Sequence, residues 1–101
     1  IIKYRYFSAS SELVIEIEFI DDSKLFVKDY LFADGSRKYV YQWMEADGSL
    51  RCRWDNAPHW PEIATAPHHV HTPGQRMPAE STITNLEDLL AFLAKANQRE
   101  P

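Results

Sequence analysis

The chain has 101 residues, a formal net charge of −4, a pI near 5.5, and 45% hydrophobic and 13% aromatic residues. That predicts a single domain over 1–101 with one modest core. It excludes a disordered chain and argues against a protein that coats its surface with nucleic acid, leaving room for a local basic patch. The lone cysteine, Cys52, excludes an internal disulfide and predicts a reducing, cytoplasmic setting; no apolar run approaches the roughly 20 residues of a membrane span, so no membrane partner is expected.

IIKYRYF at 1–7 is short and aromatic and reads as a strand, with Ser8 to Ser11 as its turn. In SELVIEIEFI, Leu13, Ile15, Ile17 and Phe19 fall on one face and Glu16 and Glu18 on the other, the period of a half-buried strand. DDS at 21–23 is turn material, and KLFVKDYLF reads as the next strand.

The tetrapeptide ADGS occurs at 33–36 and again at 46–49. Asp34-Gly35 and Asp47-Gly48 read as two-residue hairpin turns joining antiparallel strands at 24–33, 36–46 and 49–55. Ala33 opposite Ser36 sets Tyr30 against Tyr39 and Lys28 against Tyr41. Ala46 opposite Ser49 sets Trp43 against Cys52 and Tyr41 against Trp54. One face then collects Phe26, Tyr30, Phe32, Tyr39, Tyr41, Trp43, Leu50, Cys52 and Trp54. The other collects Val27, Val40, Gln42, Met44, Arg51, Arg53 and Asp55.

Residues 56–82 hold five of the six prolines and show no sustained period, which reads as a long ordered loop. Thr84 as N-cap with Glu87 at N3 opens a helix over 84–97, whose Leu86, Leu89, Leu90 and Leu93 form one apolar stripe. The expectation is an α+β domain: an antiparallel β-meander of four to five strands within 1–55, with the C-terminal helix packed on its aromatic face.

All four histidines, His59, His68, His69 and His71, fall in WDNAPHWPEIATAPHHVH at 54–71. Two chemistries compete with plain loop structure. In the first, RNA cleavage through 2′-hydroxyl attack needs a proton acceptor, a proton donor and a cation near the phosphate. Asp55, His59, His68 and His71 would form the acid–base set and Arg51 and Arg53, alternating along a strand, would hold phosphate, without metal or other cofactor. In the second, His69-x-His71 puts two imidazoles on one side of an extended segment, and His59 or Asp55 completes a zinc site, the set being His59, His69 and His71. The spacing matches no standard zinc pattern. Against both stand commoner explanations. The arginines can form a solvated strand face, Asp55-Asn56 can open a turn before Pro58, and the histidines can bond only to loop backbone. Cys52 is expected under the helix and is not a nucleophile candidate.

RWDNAPH at 53–59, APHHVH at 66–71 and TNLEDLL at 84–90 together resemble the TumE-like family of small bacterial and archaeal proteins. The matching positions are Arg53 to His59, then Pro67, His68, His69 and His71. YVYQW at 39–43 is also similar to the family pattern, and the likeness covers about the last two-thirds of the chain. Val70 and Trp60 stand where many members carry a basic residue and a histidine. The resemblance implies the toxin of a type II toxin–antitoxin pair, neutralised by a small helix-turn-helix antitoxin. Action on RNA is the expectation from the histidine and arginine set, not from the resemblance. A homodimer is a further expectation, from the open edge strand of the meander.

Overall fold

Strand follows strand in space as in sequence. The computed structural model describes residues 3–8 and 11–97. They form one antiparallel sheet of β1 Lys3–Ser8, β2 Glu12–Glu18, β3 Lys24–Leu31, β4 Arg37–Met44, β5 Leu50–Asp55 and β6 His69–His71, extended by a two-residue β7, Ala79–Glu80, before helix α1, Leu86–Asn97. The α+β class holds. The strand number exceeds four to five because the segment expected to be loop, 56–82, supplies β6 against β5 and β7 against β6. Parts of the expected first strand (1–2) and its turn (9–10) lie outside the described residues.

The hairpin turns hold three residues, not two. Gly35 N–H donates to Phe32 O at 2.9 Å, Phe32 N–H donates to Ser36 O at 2.8 Å, and Gly35 sits at φ +90. The second ADGS repeats this, with Gly48 N–H on Glu45 O at 2.9 Å, Glu45 N–H on Ser49 O at 2.7 Å, and Gly48 at φ +90. DDS is a third copy: Asp22 N–H donates to Phe19 O, Phe19 N–H to Ser23 O, and Asp22 takes the glycine's place at φ 70. In each copy the preceding aspartate (Asp21, Asp34, Asp47) accepts both the backbone N–H and the hydroxyl of the serine two residues on. This is the three-residue hairpin with a left-handed third position, which only glycine or a short polar residue occupies cheaply.

The extra turn residue slips the β3–β4 register by one. Tyr30 pairs with Lys38 and Lys28 with Val40, not with Tyr39 and Tyr41. Leu25 and Val27 therefore share the buried face with Tyr39, Tyr41 and Trp43, and Phe26 points the other way, 37% exposed. Between β4 and β5 a bulge opposite Trp43/Met44 absorbs the slip. Met44 pairs with Leu50, yet Trp43 pairs with Cys52 and Tyr41 with Trp54, as expected. Leu50 consequently shares the side of Met44 rather than that of Trp54.

The core joins Ile17, Phe19, Leu25, Val27, Tyr39, Tyr41, Trp43 and Trp54 of the sheet layer to Leu89 and Leu93 of α1. Trp54 meets Phe92 edge-on at 5.5 Å between ring centroids. Helix α1 starts two residues later than expected because Asn85, not Thr84, is its cap: Asn85 Oδ1 accepts the Asp88 N–H at 2.8 Å and Asn85 Nδ2 donates back to Asp88 Oδ2 at 3.2 Å. Among the described residues no helix is long and apolar enough to cross a membrane.

Candidate functional site

With α1 on one side of the sheet, the other face collects the residues that alternate with the core. Strand pairing lines them up in two cross-strand rows. One runs Val14, Lys28, Val40, Asp55, His69; the next runs Glu16, Phe26, Gln42, Arg53, His71. The C-terminal ends of these rows hold the polar cluster. Asp55 ends β5 directly opposite His69, and Arg53 lies directly opposite His71.

Asp55 is at the centre. Its Oδ1 accepts the Ala57 N–H at 3.0 Å and lies 2.9 Å from His69 Nε2. Its Oδ2 lies 3.4 Å from Arg53 Nε and 3.7 Å from His71 Nε2. Asp55 and His69 are buried, whereas the side chains of His71 and Arg53 are 18% and 39% exposed. The two imidazoles meet edge to face at 4.9 Å between centroids. His69 Nδ1 faces the Pro67 carbonyl at 2.9 Å. Carbonyl and carboxylate oxygens only accept, so one ring sits between two acceptors. Both are satisfied when each nitrogen carries a hydrogen, or when another cation takes the Nε2 side. Burial, and then the Arg53 charge, push the His71 pKa below the ordinary imidazole value, against the pull of Asp55, which favours an unprotonated ring near neutral pH.

The remaining sequence candidates stand elsewhere. His68 alternates with His69 and turns to the core side of the sheet. There its ring stacks on Tyr39 and its Nδ1 is 2.8 Å from the Tyr39 hydroxyl. Burial raises the Tyr39 pKa to about 12, so the hydroxyl keeps its proton, and the His68 tautomer sets which group donates in that bond. His59 is exposed in the turn after Asn56, its backbone N–H on Ala57 O. Arg51 is the bulged residue. Its guanidinium lies over the Trp43 ring at 4.7 Å and pairs with Asp21 at 3.0 Å and Glu45 at 2.9 Å. The structure thus brings together Asp55, His71 and Arg53 of the expected acid–base and phosphate set and leaves out His59, His68 and Arg51. It adds His69, which the sequence reading had placed only in the zinc alternative. Among the described residues the one group able to hold a metal is Asp55, His69 and His71, so Asp55 replaces His59 in that set.

Asn56 helps to hold the cluster. Its side chain accepts the Tyr39 N–H at 3.0 Å and donates to Arg37 O at 2.7 Å, continuing the β4–β5 ladder past Asp55. A small concavity of about 260 Å³ lined by Lys38, Val40, Gln42, Arg53, Asp55 and Ala57 touches the cluster. A larger one of about 630 Å³, with Val14, Phe26, Lys28, Val40 and Gln42, continues along the same face and shares Val40 and Gln42 with it. Arg53, Asp55, His69 and His71 are not among its lining residues.

No curated protein and no solved structure matches the chain. A protein-family model described as Toxin TumE matches residues 1–99. The match spans both strands of the Asp55 cluster and the turns and helix that frame it, and on it the chain belongs to the TumE toxin family.

Proposed function

We propose that this toxin cleaves RNA on the face of its sheet opposite α1, where Arg53 and His71 reach the surface beside the buried Asp55 and His69. The observation that carries the reading is the direct pairing of Arg53 with His71 across β5 and β6, with both side chains on Asp55 Oδ2. Arg53 is exposed enough to leave Asp55 and present its planar fork to a phosphodiester. His71 Nε2 then accepts the proton of the 2′-hydroxyl as that oxygen attacks phosphorus. The new P–O2′ bond forms, the P–O5′ bond breaks, and the departing oxygen takes a proton from water. Asp55 and His69 hold the two groups in place, because both are buried and their strands are in register. An antitoxin that covers this face would neutralise the protein.

The test is induced expression in a bacterial host of wild type, Arg53→Ala and His71→Ala, each confirmed folded, with mapping of RNA ends. Growth arrest with new 2′,3′-cyclic phosphate ends in wild type alone is the expected result. Arrest and cleavage that survive both substitutions would overturn the assignment.

A further inference from the structure

The contact between His69 and Asp55 asks for positive charge between two groups that otherwise repel. His69 Nδ1 is committed to the Pro67 carbonyl, so its hydrogen sits there. That leaves the Nε2 lone pair aimed at Asp55 Oδ1, 2.9 Å away. A proton can fill the gap, and so can a metal ion. We propose that Asp55, His69 and His71 bind one divalent first-row cation, of which zinc is the best match in ligand chemistry.

Several features support this. The ligand atoms of all three residues lie within 4.8 Å of one another. Nitrogen and oxygen ligands about 2.0–2.1 Å from a tetrahedral zinc are about 3.3 Å apart. The contacts here are 2.9 Å from His69 Nε2 to Asp55 Oδ1 and 3.7 Å from His71 Nε2 to Asp55 Oδ2, one shorter and one longer than that spacing and each to a different oxygen of the carboxylate. His69 also has the outer partner that metal-bound histidines carry, a carbonyl on the far ring nitrogen that fixes the tautomer and aims the other nitrogen. The Ala57 N–H on Asp55 Oδ1 orients the carboxylate in the same way. Arg53 opposes a second cation at Asp55, but at 39% exposure it can swing to solvent. Three protein ligands leave a fourth position open, the pattern of a reactive rather than a closed zinc site.

This inference goes beyond the cleavage reading while sharing its residues. A cation on His71 Nε2 occupies the nitrogen that would take the proton, so the loaded protein is expected not to cleave by that route.

The experiment is calorimetric titration of untagged, chelator-treated full chain with zinc chloride, with cobalt(II) absorption on wild type as a second readout. One site per chain and the intense visible bands of four-coordinate cobalt are expected. His71→Ala, whose partly exposed ring is the least needed for folding, should weaken binding by at least about 100-fold, more than loss of an outer-shell partner costs. His59→Ala and His68→Ala should bind as wild type does. Wild type that takes up no zinc, or a folded His71→Ala that binds equally well, would overturn the proposal. RNA cleavage measured on the same samples separates the two readings. Cleavage that stops on loading agrees with both. Cleavage only when loaded keeps the metal site and overturns the metal-free proton route. Cleavage indifferent to zinc that the titration shows bound keeps the metal site and overturns His71 as the proton acceptor.

Discussion

Asp55 and His69 face each other across β5 and β6 and close a 2.9 Å contact while both are buried. Removing either partner leaves the other without compensation in a dry setting. Asp55→Ala also takes the acceptor from the Ala57 N–H. The expected cost is about 3–5 kcal/mol of folding stability, read by urea unfolding. A loss under 1 kcal/mol would mean that water already reaches the pair.

Arg53 is expected to behave in the opposite way. Its contact with Asp55 is long and its side chain is 39% exposed, so Arg53→Lys should change stability by less than about 1 kcal/mol. A lysine keeps the charge but loses the planar fork, so RNA cleavage should fall by about tenfold or more. Unfolding curves and cleavage rates on one preparation check both halves.

The three hairpins test a backbone effect without packing. A Cβ at Gly35 or Gly48 meets nothing within 4 Å, so Gly35→Ala and Gly48→Ala should each cost about 1–2 kcal/mol through φ alone. Gly35→Asp should cost less, because Asp22 already occupies the equivalent place at φ 70. Thermal unfolding of the three variants would show equal loss for both substitutions at Gly35 if φ were not the cause.

Asn85→Ala should cost about 1 kcal/mol and Thr84→Ala almost nothing, since the Asn85 side chain caps α1. The reverse ranking in urea unfolding would restore Thr84 as the cap.

Asp21 supplies a pH signature. Its hydrogen bonds from Ser23, side chain first and then backbone, with a smaller contribution from Arg51, hold its pKa at about 2, below the ordinary 3.8. A depressed carboxyl contributes stability that is present above the unfolded value and lost as pH falls through the folded one. The stability difference between wild type and Asp21→Asn should therefore shrink as pH drops from about 4 to about 2. It will be small, because Asp21 is 45% exposed and screened by solvent. Urea unfolding across that range reads it, and a constant difference would dissociate the shift from folding.

The β-strand periods, both glycine turns and three members of the leucine stripe of α1 were readable because each is a local pattern. Leu90, counted in the stripe, is 42% exposed, while Leu86, Leu89 and Leu93 join the core. The turn length was not. ADGS fits a two-residue and a three-residue loop equally well, and only the backbone bonds of Phe32 and Glu45 decide. Asp22 hid the third copy of the turn, because an aspartate stands where glycine announces the other two. At the site, alternation correctly put His69 and His71 on one side. The pairing of β6 with β5 was hidden in a proline-rich stretch with only three residues of strand. Without that pairing, nothing in the sequence ranks His69 above His68 as the partner of Asp55.

The bulge at Arg51 decides which side of the protein the chemistry is on. The β4–β5 turn alone would set Trp43 against Arg51 and Val40 against Trp54, continuing the pairing of Met44 with Leu50. Arg53 and Asp55 would then point under the helix, and Cys52 and Trp54 would face outward. The single extra residue acts as a phase shifter: it inverts the parity of everything after it, including the strand that recruits His69 and His71. A one-residue deletion there would leave composition and motifs nearly untouched and turn the cluster inside out.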